Sequence, residues 1–195
     1  MKQDIILSGV GGQGILSIAT IIGDAATQAG INLKQAEVHG MSQRGGDVQS
    51  NLRLSDSTIA SDLISTGNAD MILSLEPMEA LRYLPYLNKD GWIITSSSPF
   101  KNIPNYPDDK ALADELNSLP HVVMIDIEAL AKEHQMPKCA NVMLLGAASR
   151  HLGILSVEQL RESVARVFAS KGENIVEMNK RAFDIGHEEA EKKNI

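Results

Sequence analysis

The residues whose types and spacing could do chemistry lie in two glycine-rich segments near the N-terminus. One of them, residues 39–46, gathers an imidazole, a hydroxyl, an amide and a guanidinium within six residues, beside several glycines. The side chains belong to His39, Ser42, Gln43 and Arg44, and Gly45 follows them. An imidazole exchanges protons near neutral pH, and a guanidinium pairs with both oxygens of a carboxylate or phosphate. From the residue types alone, two interpretations stay open: a site for an anionic ligand, or a solvated glycine loop.

The other segment, residues 9–14, fits the pattern G-x-G-x-x-G. Its members with a candidate role in cofactor binding are Gly9, Gly11, Gly12, Gln13 and Gly14. Backbone without Cβ atoms approaches an anion closely, and a helix that begins there offers unpaired N–H groups to a phosphate. Glu37 follows Gly14 by 23 residues, near the roughly 20-residue spacing of the ribose-binding acid in NAD sites. Two interpretations stay open: a cofactor phosphate site, or a tight turn that only joins a strand to a helix.

The elements that position these segments follow from hydrophobic periodicity. Residues 4–8 form an apolar run that predicts a buried strand, and residues 13–29 have the helical spacing of apolar residues. Residues 31–38 predict a second strand. This order is the opening of a doubly wound α/β sheet, whose ligands bind at the carboxyl ends of the strands.

The later segments predict further strands and then mainly helices. Alternating residues 48–54 predict a half-buried strand that turns into a short strand at 58–60, which makes the sheet mixed. The remaining predictions are a strand at 69–75, a helix at 76–87, a turn at 90–91, a strand at 92–95, a surface loop at 96–107, a strand at 121–126 and helices after 127. Ser156 and Gln159 predict a capping box. The fold class is therefore α/β: a three-layer, Rossmann-like sandwich with a mostly parallel, mixed sheet and a helical C-terminal segment, forming one domain over residues 1–195.

Composition limits the classes of function. The net charge is −7 and aromatic residues make up 4% of the chain, which argues against nucleic acid as a partner. The N-terminal apolar run is too short for a membrane anchor, so we expect no membrane association and a cytoplasmic location. Cys139 is the single cysteine, whereas an iron–sulfur cluster usually needs four. His121 and His151 have no metal-ligand spacing with other histidines, cysteines or acids, so no metal site is expected.

The two glycine segments together resemble the gamma-type domain of the 2-oxoacid:ferredoxin oxidoreductases. The resemblance rests on the wording of residues 9–14 and 36–46, which is more specific as a pair than either segment alone. It extends through an arginine at position 53, the Glu-Pro pair at 76–77 and the Asn-x-x-x-Leu-Gly pattern that begins at Asn141. The whole chain is covered, although the last 20 or so residues carry little motif information.

The resemblance implies a subunit of a complex that oxidatively decarboxylates a 2-oxoacid with coenzyme A and reduces ferredoxin. Indolepyruvate or another aryl pyruvate is the substrate it favours. Thiamine diphosphate, Mg²⁺ and the 4Fe-4S clusters would belong to a large partner subunit, because this chain has too few cysteines for a cluster and no recognisable thiamine motif. The chain alone would hold no cofactor and would be inactive.

The resemblance also suggests where each segment acts. Residues 39–46 would face the partner beside its thiamine site, where Arg44 and His39 hold the substrate carboxylate or the cofactor phosphates. Ser42 and Gln43 would add neutral hydrogen bonds. The glycine segment at 9–14 would bind the phosphates of coenzyme A or contact the partner. Two other classes remain: a standalone NAD-dependent oxidoreductase, and a non-catalytic scaffold or regulatory subunit.

Overall fold

The computed structural model describes residues 1–39 and 45–193. Residues 40–44 and 194–195 lie outside the described residues, as do the side chains of residues 38 and 39. The predicted roles of Ser42, Gln43 and Arg44 therefore concern residues that the structure does not describe. The same holds for the imidazole of His39, whose backbone is described.

Six strands and seven helices make up the described part of the chain. The strands are β1 (Lys2–Val10), β2 (Asn32–His39), β3 (Asp47–Ser55), β4 (Ala69–Ser74), β5 (Leu87–Ser96) and β6 (Val122–Ile125). The helices are α1 (Ile15–Gln28), α2 (Pro77–Arg82), α3 (Asp109–Ser118), α4 (Ile127–Glu133), α5 (Ala140–Ala148), α6 (Val157–Phe168) and α7 (Glu173–Lys192). Short 3₁₀ turns lie at Leu84–Tyr86, Ser149–His151 and Ala169–Lys171.

All six strands form one sheet in the order β2-β3-β1-β4-β5-β6. β4, β5 and β6 continue parallel from β1, whereas β3 is antiparallel to both β1 and β2. The sheet is thus mostly parallel with one reversed strand. The carboxyl ends of β1, β2, β4, β5 and β6 consequently lie at one edge, which is where the glycine segments begin.

Apolar side chains cover both faces of the sheet and define three layers. Ile5 and Leu7 point to the larger core, beneath α1, α4, α5, α6 and α7, whereas Ile6 points to the smaller core beneath α2 and α3. This alternation is what a strand buried on both faces requires, and it explains why residues 5–7 read as a continuous apolar run. The predicted α/β three-layer class, the mixed sheet and the helical C-terminal segment are confirmed.

The predicted short strand at 58–60 is wrong. β3 already has β1 on one side and β2 on the other, so no edge of β3 is free to pair with a returning strand. Residues 56–68 instead cross the sheet as an irregular segment. Arg53 holds this segment, because its Nη1 donates to the carbonyl oxygens of Ser61 (3.0 Å) and Leu63 (3.1 Å).

Two other local predictions also differ from the structure, and one helix was not predicted. Residues 90–91 lie within β5 rather than in a turn. They belong to an irregularity in the pairing of β4 with β5, because Ala69 pairs with Leu87 but Met71 pairs with Trp92. The helix predicted at 76–87 ends at Arg82, and a 3₁₀ turn follows. Helix α3 was not predicted, because it is short and mostly polar. Asp108 is the N-cap of α3, and its side chain accepts from the N–H of Ala111.

The capping box predicted for α6 is confirmed, with Ser156 and Gln159 each accepting from the other's backbone N–H. In the part of the chain that the structure describes, no helix combines the length and the apolar character needed to cross a membrane.

Candidate functional site

The two glycine segments predicted to carry function meet at the carboxyl edge of the sheet. β1 and β3 pair up to Val10 and Asp47, and the backbone contact continues beyond the strands. The N–H of Gly11 donates to the carbonyl of Gly46 (2.9 Å), and the N–H of Gly45 donates to the carbonyl of Gly11 (3.4 Å). The backbone of His39 ends β2 opposite Val48. The turn after β1 therefore lies directly against Gly45 and Gly46, which lead into β3.

Sterics explain why the turn after β1 needs glycine at its two ends. Gly14 caps α1 with φ 92°, in the left-handed region that disfavours side chains. A Cβ at Gly14 would also lie 2.6 Å from Nδ2 of Asn141, which donates to the Gly14 carbonyl (3.2 Å). A Cβ at Gly9 would lie 2.9 Å from Oε1 of Gln13. Glycine at position 14 is thus favoured by its backbone conformation, whereas a side chain at position 9 would displace the amide of Gln13.

Gly12 differs from its neighbours because its Cα faces open space. Its φ is 105°, and nothing lies within 4 Å of the position that a Cβ would take. The side chain of Gln13 makes its hydrogen bonds inside the protein. Its Oε1 accepts from the N–H of Val10 (2.7 Å) and its Nε2 donates to the carbonyl of Leu75 (3.2 Å). Gln13 thus fastens the turn to the end of β4, while the backbone at Gly12 is left free to meet a ligand.

An open pocket of about 590 Å³ lies beside this turn. The first turn of α1, the start of α5 and the loop after β5 enclose it. Its lining comprises Gly11, Gly12, Gln13, Gly14, Ser17, Leu75, Phe100, Glu128, Pro137, Lys138, Ala140 and Asn141. Four of the predicted binding residues are thus brought together here, whereas Gly9 and Gly45 lie beside the lining and not in it.

Sequence reasoning missed the side of the pocket formed by residues 137–141. The signal was present, because Asn141 begins the Asn-x-x-x-Leu-Gly pattern and residues 137–140 precede an apolar helix. What the sequence could not supply was the contact itself: Asn141 and Gly14 are 127 residues apart in the chain.

Two helix N-termini at this pocket lack the groups that usually neutralise them. Neither α1 nor α5 has a side-chain cap or an acidic residue in its first turn. By contrast α2, α3, α4 and α6 each have both. An uncapped helix N-terminus leaves N–H groups and a positive dipole end available to an anion. Two such ends at one pocket make it suited to phosphate or carboxylate groups.

The charged side chains of the pocket lie at its rim. Lys138 and Glu128 are both exposed, so each can turn toward or away from a ligand. Cys139 is the N-cap residue of α5 but is buried in the larger core. Burial raises the pKa of its thiol, which keeps Cys139 protonated at neutral pH and unreactive.

The position of Glu37 argues against a dinucleotide-binding site at the glycine turn. In the dinucleotide-binding fold the strand carrying the ribose-binding acid lies next to the strand that leads into the glycine turn. Here β3 lies between β2 and β1, so Glu37 is two strand spacings, about 10 Å, from β1. Glu37 also does not line the pocket.

A loop between β5 and α3, residues 97–108, forms a strap over the same edge of the sheet. Phe100 is 47% exposed and contributes to the pocket wall. Asn102 donates through Nδ2 to the carbonyl of Gly45 (2.7 Å). Glu76, at the end of β4, accepts from the N–H of Phe100 (3.2 Å) and from the hydroxyl of Tyr106. The strap was predicted only as a surface loop, and nothing in the sequence indicated its buried acceptor.

Metal-binding residue types do not cluster in the described ranges 1–39 and 45–193: no group of three or more His, Cys, Asp or Glu side chains there could hold an ion.

Comparison with known proteins identifies the family. Residues 4–189 match the family model described as pyruvate ferredoxin/flavodoxin oxidoreductase. An indolepyruvate oxidoreductase subunit IorB from Pyrococcus horikoshii is 37% identical, with 95% of both chains covered. A subunit of the same name from Archaeoglobus fulgidus is 34% identical, with 97% of this chain and 96% of the relative covered.

A solved structure agrees with these relatives. The keto/oxoacid ferredoxin oxidoreductase gamma subunit from Geobacter sulfurreducens superposes with a TM-score of 0.75 and 25% identity, and 98% of each chain is covered. The family predicted from the paired glycine segments is confirmed. The chain belongs to the pyruvate ferredoxin/flavodoxin oxidoreductase family.

Proposed function

We propose that this chain is the small subunit of an oxidoreductase that converts indolepyruvate or another aryl pyruvate to the acyl-CoA and CO₂ while reducing ferredoxin. The observation that carries this proposal is the 34–38% identity to four indolepyruvate oxidoreductase subunits over 95% or more of the chain. Relatives named for 2-oxoglutarate are more distant, at 25–27% identity. The substrate preference rests on this difference.

The electron-transfer chemistry in this proposal belongs to a large partner subunit. One cysteine cannot hold a 4Fe-4S cluster. Thiamine diphosphate with Mg²⁺ would supply the carbanion chemistry and the clusters would carry the electrons, all on the partner. This chain, as one gamma-type domain over residues 1–195 in the cytoplasm, would be inactive alone.

The pocket beside the glycine turn is the proposed site for the phosphates of coenzyme A. Phosphates bind at helix N-termini whose backbone N–H groups are not occupied by a capping side chain. The uncapped ends of α1 and α5 meet this condition, and the open Cα of Gly12 allows an anion to come close to the backbone. Lys138 at the rim can add a charge-assisted contact. The alternative role, contact with the partner, would leave these N–H groups without an anion.

The segment 39–46 is proposed to face the thiamine site of the partner. Its two ends are fixed, because β2 and β3 pair with each other and Gly45 and Gly46 bond to Gly11. Arg44 would hold the substrate carboxylate, with His39 beside it, and Ser42 and Gln43 would donate neutral hydrogen bonds. Bond-making would occur on the partner's cofactor, and this chain would orient the substrate and exclude water.

Co-expression with the large thiamine-dependent subunit tests the assignment. The purified complex is assayed for ferredoxin or viologen reduction with coenzyme A and a panel of 2-oxoacids. We expect turnover only when both chains are present, with aryl pyruvates preferred over pyruvate and 2-oxoglutarate. Activity of the large subunit alone, or failure of the chains to associate, would contradict the proposal.

The coenzyme A site has its own test in the same complex. Replacing Lys138 with glutamate reverses the basic charge that the described residues contribute to the lining. We expect KM for coenzyme A to rise about three- to tenfold, corresponding to 0.7–1.4 kcal/mol, with KM for the 2-oxoacid unchanged. Lys132, also exposed but outside the lining, is the matched control as Lys132→Glu. Equal increases in KM for coenzyme A in the two variants would show that coenzyme A does not bind in this pocket.

A further inference from the structure

The strap, residues 97–108, is a twelve-residue irregular segment that contains none of the motifs identified in the sequence. Its two ends are tied to neighbouring elements: the N–H of Ser97 donates to the carbonyl of Ile125 (3.0 Å), and Asp108 caps α3. Between these ends its hydrogen bonds to the glycine segments and to the junction of β4 and α2 go to two acceptors within the described residues. These acceptors are Oε1 of Glu76 and the carbonyl oxygen of Gly45.

Glu76 is a buried carboxylate with an unusual set of partners. Its side chain is fully buried, and none of the described lysines and arginines forms an ion pair with it. A carboxylate in this position depends on hydrogen-bond donors for its stability, since burial removes it from water. Each of its two carboxylate oxygens accepts from a different element. Oε2 accepts from the N–H of Glu79 (2.9 Å) and so caps α2, whereas Oε1 accepts from Phe100 and Tyr106 of the strap.

The hydroxyl of Tyr106 is a donor to Glu76 that does not lose its proton at neutral pH. Burial, together with the hydrogen bond to Glu76 and the charge of that carboxylate, raises the pKa of the Tyr106 hydroxyl. The phenol therefore keeps its proton over the neutral range and donates to Glu76 throughout it.

We propose that Glu76 is a positioning residue, which fastens the strap to the end of β4 and thereby holds Phe100 in the wall of the coenzyme A pocket. The consequence for function rests on the proposed coenzyme A site, whereas the anchoring itself does not. The same strap contacts Gly45 through Asn102. Glu76 therefore holds the segment that carries both Phe100, beside the 9–14 turn, and Asn102, beside Gly45. Glu76 does not line the pocket, so its effect on the pocket is exerted through the strap.

Two variants separate anchoring from folding. Glu76→Asp retains a good N-cap for α2 but is shorter by one methylene, so it does not reach the strap. Tyr106→Phe removes a single donor and leaves Glu76 intact. Tyr86→Phe is the matched control, because Tyr86 is also partly buried and its hydroxyl has no hydrogen bond within the described part of the chain.

The experiment measures hydrogen exchange of the strap amides and steady-state kinetics in the assembled complex. We expect strap exchange to become at least tenfold faster in Glu76→Asp and Tyr106→Phe, and KM for coenzyme A to rise three- to tenfold while kcat stays within about twofold. A merely structural defect would instead lower the yield of complex and kcat at constant KM. Tyr86→Phe should change neither readout.

Each other outcome is decisive. Unchanged strap exchange in both variants overturns the anchoring role of Glu76. Faster exchange with unchanged KM, while Lys138→Glu still raises KM for coenzyme A, shows that the strap does not shape the pocket. If Lys138→Glu also leaves KM unchanged, the proposed coenzyme A site has failed, and the exchange rates alone decide whether Glu76 holds the strap.

Discussion

At the scale of single residues, the ion pair between Asp4 and Arg53 shows how one contact can organise distant chain segments. The Asp4 carboxylate is fully buried and accepts from Nε and Nη2 of Arg53 at 2.9 and 3.0 Å, with Lys2 at 2.8 Å. The third nitrogen of Arg53 holds the segment that crosses the sheet after β3. Burial acts to raise the pKa of Asp4, but the hydrogen bonds and charges of Arg53 and Lys2 outweigh it and lower the pKa.

Replacing Asp4 with asparagine should lower the free energy of unfolding by about 2–3 kcal/mol at pH 7, because the Arg53 guanidinium loses its charged partner. The folded-state pKa of Asp4 lies below its ordinary value of 3.8. Its contribution to stability is therefore present above about pH 4 and is lost as the pH falls through the folded-state pKa. Urea unfolding of both proteins between pH 7 and pH 2.5 measures this, and the difference should shrink below about pH 4. Asp90→Asn, at a side chain 80% exposed, is the control; a difference independent of pH would contradict the argument.

At the scale of elements, the crossing of α5 and α7 sets the close packing of the larger core. Each helix presents a glycine to the backbone of the other. A Cβ at Gly146 would lie 2.0 Å from the carbonyl oxygen of Phe183, and one at Gly186 would lie 1.8 Å from the carbonyl oxygen of Met143. Such distances are far inside van der Waals contact, so any side chain at either position forces the helices apart.

Gly146→Ala should therefore lower the free energy of unfolding by about 3 kcal/mol, which is the upper part of the range for overpacked cores. The matched control is Gly153→Ala, since a Cβ there has nothing within 4 Å and the backbone has no positive φ. This control should change stability by less than about 1 kcal/mol. Thermal or urea unfolding measures both, and a tolerated Gly146→Ala would show that the two helices can separate at little cost.

Sequence patterns predicted elements well where one period dominates and poorly where long-range contacts decide. The apolar run of β1 and the helical spacing of α1 were sufficient, because residues 5–7 face the two cores and one side of α1 packs on the larger core. The strand predicted at 58–60 failed because its would-be partner, β3, is occupied on both sides. In the candidate site the glycine turn was predictable, whereas Asn141 and the Glu76 anchor depend on contacts between residues far apart in the chain.

At the scale of the whole molecule, the sheet order brings every chemically interesting segment to one edge. The glycine turn, the 39–46 segment, the strap and the start of α5 follow different strands or helices, yet they are joined by hydrogen bonds at Gly11, Gly45 and Asn141. We expect the large subunit to cover this edge, since the proposed roles of Arg44 and His39 require a neighbouring thiamine site.

Arg44→Ala in the assembled complex tests this arrangement. We expect kcat/KM for the 2-oxoacid to fall tenfold or more, because a well-placed charge-assisted contact contributes about 1.5–3 kcal/mol. Arg181→Ala, at an exposed arginine on α7, should leave turnover unchanged. An effect of Arg44→Ala below about twofold would exclude the segment from the substrate site, and loss of the complex itself would assign Arg44 to assembly.

The pairing of β2 with β3 gives the 39–46 segment a property useful for engineering. The segment is the connection of an antiparallel hairpin whose stem is paired over eight positions and is braced by β1 on its far side. The register of this stem is specified by pairing on both sides of β3 as well as by the length of the connection. If the segment orients the substrate as proposed, we expect connections of equal length from relatives named for other 2-oxoacids to be exchangeable here and to change substrate preference without rebuilding the sheet.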